Sequence, residues 1–283
     1  FILLTASDST SMSGYLRSSF PGISFLPMKP GAFMSVFMHH WAESCTIGIP
    51  PEPKRAIDLA CADKSDSCYM LEALHLLETE ASTIPALVQS LHWFPYLCDL
   101  TIHGCGLTDD EAVPILSALL LNPYLKSLAL PQNQISSGSV LSLQMLLSRP
   151  SKRLMILDLS HNPFPVKSAN AILDTLANNT CVKRFSMIGV PLTHKSSILS
   201  LTQLLEKNHS LFCLRLHISL QKTNAETMMA PIFNALLNNI TINLLDLSLP
   251  SDSATRTNMD ILVERNARGA SSLTLAGWVS EPW

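Results

Sequence analysis

Apolar residues recur along this chain in a short fixed pattern, L-x-x-L-x-L followed three residues later by Asn or Cys and then by another apolar position. The pattern fits Leu97, Leu100, Ile102, Cys105 and Leu107, then Leu125, Leu128, Leu130, Asn133 and Ile135. It fits again at Leu154, Leu157, Leu159, Asn162 and Phe164. A fourth copy reads Val182, Phe185, Met187 and Leu192, with Val190 where Asn or Cys is expected. Shorter copies stand at Leu71, Leu74, Leu76, at Leu211, Leu214, Leu216, at Ile242, Leu245, Leu247, and at Leu273 with Leu275. First positions at 71, 97, 125, 154, 182, 211, 242 and 270 give steps of 26, 28, 29, 28, 29, 31 and 28. A step that narrow marks a repeat architecture.

The pattern dictates two alternating elements. Within L-x-L the apolar side chains alternate, so they share one face of a short strand. Between the strands, Ile172, Leu173 and Leu176, or Met229, Ile232, Phe233 and Leu236, fall at helical spacing. One strand and one helix are too small to close a core, but stacked units bury a continuous one. The expected fold is therefore α/β, a right-handed solenoid with a parallel concave sheet and helices on the convex side. Helices are expected to stop at Asn122, Asn178-Asn179, Asn208 and Asn238-Asn239, because Asn tolerates a left-handed closing residue.

With Cys105, Asn133 and Asn162 at the template position, the chain resembles the leucine-rich-repeat superfamily. Steps of 28–29 with a full helix look like its ribonuclease-inhibitor-like subtype. The run QSLHWFPYLCDLTIHGCGL, followed by LDLSHNPF, is similar to the CARMIL-type actin-regulatory proteins. The superfamily resemblance implies that the template Asn or Cys bonds backbone groups in the turn after the strand. Val190, Ser219 and Pro250 depart from the template, so the turns of the later repeats should be irregular. The CARMIL-type proteins act on actin capping protein through a tail beyond the repeats, which this sequence does not contain, so that activity is not implied.

The pattern divides the chain into an irregular N-terminal arm over 1–55 with one short helix, a solenoid with divergent caps over 56–275, and a tail over 276–283. The arm is Ser-rich from Thr5 to Ser19, yet it carries Phe20, Phe25, Phe33, Phe37 and Trp41, too apolar for an ordinary flexible tail. Ala32–Trp41 is expected to dock on the strip Val113, Leu120, Leu121, or on the strand at Leu74 and Leu76. Residues 1–19 are expected to touch their own solenoid little and to be ordered by a neighbouring chain.

Composition narrows the function. Charged residues are 14% of the 283, so little charge keeps the surface isolated, and some of it should be covered in use. A net charge of −3 argues against a dedicated nucleic-acid binder. Residues 1–111 hold 5 basic and 13 acidic side chains, and residues 112–283 hold 14 and 9, so the two ends offer opposite fields. No run reaches the ~18 apolar residues of a membrane span, and Phe1-Ile2-Leu3-Leu4 is too short for a signal-peptide core. Seven cysteines without a C-x-x-C pair read as reduced thiols.

Enzyme chemistry finds no foothold. Gly104-Cys105-Gly106 lacks the rest of a phosphate loop. Asp158, Ser160 and His161 have the residue types of a hydrolase triad, but they belong to the repeat template. His39, His40 and Cys45 do not complete a metal set. No catalytic residue, metal ligand, cofactor site or small-molecule substrate is expected. Sequons at Asn178, Asn208 and Asn239 coincide with helix ends, which explains them without glycosylation. What remains is binding. The outward strand residues form a middle column His75, Thr101, Ala129, Asp158, Ser186, Arg215, Asp246, Thr274. Arg184 and Arg215, in adjacent repeats, suit an acidic partner surface. Val113, Leu120 and Leu121, with Phe33, Phe37 and Trp41, are the apolar candidates. The expected function is a non-enzymatic protein-interaction scaffold or adaptor, cytoplasmic and part of a large cytoskeletal assembly. The alternative is a small-GTPase regulator on the same scaffold.

Overall fold

The computed structural model describes residues 2–8, 69–77, 91, 97–149, 154–218, 225–247 and 254–272. Among them, eight strands form one sheet in chain order: β1 (Ile2–Asp8), β2 (Tyr69–Leu77), β3 (Asp99–His103), β4 (Ser127–Ala129), β5 (Ile156–Asp158), β6 (Arg184–Leu192), β7 (Cys213–Ile218) and β8 (Leu244–Asp246). From β2 to β8 every neighbouring pair is parallel. Helix α1 (Asp109–Leu119) follows β3, and α2 (Val140–Ser148) follows β4 through a 3₁₀ turn at Ser137–Ser139. Helices α3 (Val166–Ala177), α4 (Lys195–Lys207), α5 (Ala225–Asn238) and α6 (Ala254–Ser272) follow β5, β6, β7 and β8. This is the leucine-rich-repeat solenoid that the spacing predicts.

The register reproduces the pattern residue by residue. His75, Thr101, Ala129, Asp158, Ser186, Arg215 and Asp246 pair in succession, so the expected middle column is one physical row. The row beside it, Leu100, Leu128, Leu157, Phe185 and Leu214, points the other way and is fully buried. Each such side chain contributes roughly 1.5–3 kcal/mol on leaving water. Each strand is entered through a shared acceptor. The carbonyls of Cys98, Lys126, Met155, Lys183 and Phe212 each accept two N–H groups from the next repeat, at 2.7–3.1 Å. Five equivalent acceptors, ten bonds in all, fix the stacking distance independently of the side chains.

Two sets of asparagines lock the two edges. After the strands, Asn133 donates to the carbonyls of Ile102, Leu130 and Pro131 and accepts from the N–H groups of Cys105 and Leu107 in the preceding repeat. Asn162 does the same one repeat on, donating to Leu130, Leu159 and Ser160 and accepting from Ile135. The residue before this position turns left-handed in four successive repeats, at Gly104, Gln132, His161 and Gly189. At the helix-end edge, Asn179, Asn208 and Asn239 each donate to the end of the preceding helix, at Leu147, Leu176 and Leu205. Each also accepts from two N–H groups at the entry to its own strand.

Three expectations need correction. The helix-end asparagines are not left-handed: among the described residues, positive φ outside glycine occurs only at Gln132 and His161. Asn208 and Asn239 are buried because their amides complete the stacking bonds. At the other end, Ile2–Asp8 is not irregular and does not wait for a neighbouring chain. It pairs antiparallel with β2, from Ile2 opposite Leu76 to Asp8 opposite Tyr69. The first strand of a parallel stack leaves an unpaired edge, and this segment covers it. Finally, α6 runs on through Ser272, so position 270 lies in a helix and not at the entry to a strand. The one short helix expected in the arm and the last strand pattern at Leu273 and Leu275 lie outside the described residues.

The template mismatch at Val190 leaves its mark on β6, whose pairing with β7 shifts between Met187 and Pro191. The turn itself is kept by Gly189, at φ 89°.

Candidate interaction surface

The side of the sheet away from the helices is lined by the outward residues of short strands. Along the middle row the order is Asp158, Ser186, Arg215, Asp246, so an acid and a base are set apart by a serine and then meet across one strand spacing. Ser186 is held down by a hydroxyl–hydroxyl bond to Ser160 at 2.7 Å. Asp158 is fixed from below, accepting the Ser160 N–H at 2.9 Å.

Arg184 and Arg215 lie on adjacent strands of this face but not side by side. Arg184 stands opposite Cys213, and Arg215 opposite Ser186, so the two are diagonal neighbours, two residues apart along the strands. The Arg184 guanidinium carbon lies 5.4 Å from the centroid of the Phe212 ring, in cation–π range. That contact fixes a long side chain that would otherwise lose rotamer entropy on binding. Between them Cys213 is buried, and burial raises its thiol pKa. The positive fields of Arg215 and Arg184 oppose this rise, while Asp246 adds to it. A thiol held in that state is a packing residue. With Asp158 and Asp246 in the same row, the face is a mixed-charge surface and not the plain basic patch that two arginines suggest.

The apolar candidates are distributed unevenly. Leu116 and Leu119 are buried, as the helical spacing predicts. Leu120 is half-buried against the core, Val113 is half-buried on the outer side of α1, and Leu121 is 74% exposed. Phe33, Phe37 and Trp41 lie outside the described residues, as do Leu74 and Leu76 as side chains. Sequence reasoning missed Leu141 and Met145, which are 68% and 52% exposed on α2. Their segment, VLSLQMLLS, is apolar at most positions, so periodicity does not choose between its faces. It also missed Phe212, whose signal is only an aromatic residue one place before a strand.

The remaining candidates resolve simply. The Ser160 hydroxyl is engaged by Ser186 and by the Ile188 N–H, while His161 is an exposed left-handed turn residue beside Gly189. The amides of Asn208 and Asn239 are spent on backbone carbonyls, which removes both sequons from any modifying enzyme in the folded chain. His39, His40 and Cys45 lie outside the described residues; within them, no three His, Cys, Asp or Glu side chains converge as a metal site. No disulfide joins the four described cysteines. No described helix is long and apolar enough to cross a membrane. Two open grooves of about 470 and 460 Å³ run along the helix-end edge and share Asn178, Asn179 and Thr180.

No protein-family model matches the chain, and no curated protein matches it. Solved structures similar to it include the actin-binding site 2 of leiomodin-1, at 16% identity and a TM-score of 0.46, covering 67% of this chain and 92% of that one. A tropomodulin C-terminal domain from Caenorhabditis elegans is similar at 12% identity and a TM-score of 0.40, over 68% of this chain and 98% of that one. Likeness of this degree carries no argument about function. The family resemblance therefore stands on the repeat itself, and the fold on the sheet and register described above.

Proposed function

We propose that this chain is a non-enzymatic protein-interaction scaffold that uses the outward strand face, with Arg184 and Arg215 as its anchoring side chains. The observation that carries the reading is the row Asp158, Ser186, Arg215, Asp246, flanked by Arg184 stacked on Phe212. Alternating charge on a rigid sheet suits a folded protein surface of complementary pattern and disfavours a uniform polyanion. Arg is also the residue that interfaces favour for planar, bidentate contacts. The cytoskeletal address, and with it a cytoskeleton-associated location, rests on the sequence resemblance to CARMIL-type proteins; steps of 28–29 residues support the ribonuclease-inhibitor-like subtype. No observation favours the small-GTPase alternative.

Co-sedimentation with purified actin filaments and with microtubules tests the reading. The wild-type chain is expected to pellet with one of the two, and the double variant Arg184→Glu, Arg215→Glu to bind at least roughly tenfold more weakly, the size of one lost interfacial charge contact. Binding unchanged by the double variant overturns the assigned face, and no pelleting with either polymer overturns the cytoskeletal address.

A further inference from the structure

The two grooves on the helix-end edge differ in charge. The one between the ends of α3 and α4 has Lys183, Lys207 and His209 in its lining, with Asn178 and Thr180 beside them and no carboxylate among its described residues. The other holds Arg149 together with Asp174, and the Arg149 guanidinium is engaged by the Leu120 carbonyl. The repeat does not demand the basic groove. Lys183 stands one residue before β6, Lys207 one residue before Asn208, and His209 one residue after it. One repeat back the same three places are Met155, Asn178 and Thr180, and one repeat on they are Phe212, Asn238 and Ile240, none of them charged. Lys207 also lies in the last turn of α4, where the helix dipole favours a cation, but Lys183 and His209 lie outside any helix.

We infer that this groove takes an acidic segment of a partner protein, a short extended run of Asp and Glu. Lys183 is half-buried, while Lys207 and His209 are exposed, and none of the three carries an ion pair among the described residues. Their positive field is therefore open to an incoming carboxylate. Asn178 and Thr180 offer an amide and a hydroxyl to the backbone of the segment. The floor is already fixed: Asn208 donates to the carbonyls of Leu176 and Asn179, and the Ser210 hydroxyl to those of Asn179 and Val182. A floor so bonded does not have to be ordered when the segment arrives. A nucleic acid fits less well. No Phe, Tyr or Trp is among the described lining residues to stack on a base. Asp174 on α3 and Glu206 on α4 are exposed at the flanks, where they repel a long phosphate backbone but leave room for an acidic run that ends inside the groove.

Fluorescence anisotropy on the full chain tests this with a labelled oligoglutamate peptide, and with an oligothymidylate of equal charge as the competing probe. The variants are Lys183→Glu with Lys207→Glu, and Lys207→Glu alone, an exposed position where the fold is expected to stand. The oligoglutamate is expected to bind wild type, and to bind the double variant at least roughly tenfold more weakly, with the single variant between. Added salt should weaken the binding. The outward-face variant Arg184→Glu, Arg215→Glu is expected to lose less than the groove double variant. No binding by wild type, equal binding by the groove variants, or an equal or larger loss in the outward-face variant overturns the inference. Tighter binding of the oligothymidylate, lost in the groove variants, overturns it in favour of a nucleic acid. None of these outcomes depends on filament binding, so the two proposals fail separately.

Discussion

The repeats built on β3 to β5 and those built on β6 to β8 stack at the same spacing, but asparagine ties the first group at both edges and the second, among the described residues, at the helix-end edge alone. In the first group the turn after the strand carries the lock, through Asn133 and Asn162. In the second group that position is Val190, and asparagine locks the helix-end edge through Asn208, Asn239 and Asn266. The physical demand is the same on both sides. A buried turn between stacked units exposes carbonyls and N–H groups that water cannot reach, and each needs a partner. A side-chain amide supplies both a donor and an acceptor in one small group. Losing the template residue did not end the repeat, because the helix-end amides go on tying successive repeats while the turn before Val190 is bonded through Ser160 and His161. At α1 the same helix-end lock is present: Asn122 donates to the Leu97 carbonyl and accepts from Tyr124 and Leu125, and Arg149 donates to the Leu120 carbonyl.

The largest test of this comparison removes an amide from each group. Asn208→Ala takes the acceptor from the N–H groups of Ser210 and Leu211 and one of the donors from each of the Leu176 and Asn179 carbonyls, and leaving buried polar groups unpaired costs about 1–3 kcal/mol each before relaxation. We expect each of Asn208→Ala and Asn133→Ala to lower unfolding stability by about 3 kcal/mol in denaturant titration. A large loss for Asn133→Ala with almost none for Asn208→Ala would break the idea that the helix-end amides hold the later repeats.

A smaller effect is expected at Gly189, which keeps the turn where the amide is missing. Its φ of 89° is left-handed, and a Cβ there would stand 2.8 Å from His161 Nδ1 and 3.2 Å from His161 Cα. Gly189→Ala should cost roughly 1–3 kcal/mol, the usual toll of a strained backbone position. The same substitution at Gly106, also left-handed but with open space around it, should cost less, and equal losses would remove the special role of the close approach.

The smallest effect belongs to Asp109, which ties α1 to the next repeat by accepting from the N–H groups of Ser136, Gly138 and Ser139 and from the Ser139 hydroxyl. Burial alone raises its pKa, but the Ser139 hydroxyl and the three backbone donors together outweigh it and hold the carboxyl below the ordinary 3.8. A folded value below the unfolded one means the stabilisation is present above 3.8 and fades as the pH falls through the lowered value. Asp109→Asn should cost about 1 kcal/mol at neutral pH, as for a lost helix cap, and should flatten that part of the acid limb. An unchanged acid limb would exclude Asp109 as its source.

Most of the solenoid was legible because its signals are periodic. Leu128, Leu157 and Leu159 are fully buried at the positions the template gives, and the outward row follows from alternation alone. What was not legible depends on pairing between distant segments. Nothing local to Ile2–Asp8 names β2 as its partner, and the helix-end asparagines look like stop signals until the neighbouring repeat is in place. The charge pattern of the outward face was half legible: the sequence names Arg184 and Arg215, but only the register shows them as diagonal neighbours, with Asp158 and Asp246 in the row of Arg215.

Carboxylate footprinting with a carbodiimide, done with and without the filament proposed as partner, tests the outward face most directly. The labelling of Asp158 and Asp246 should fall in the complex, while Asp174 on α3 and Glu206 on α4 stay at their free-chain levels. Protection of Asp174 and Glu206 with Asp158 and Asp246 unchanged would place the partner on the helices and contradict the account.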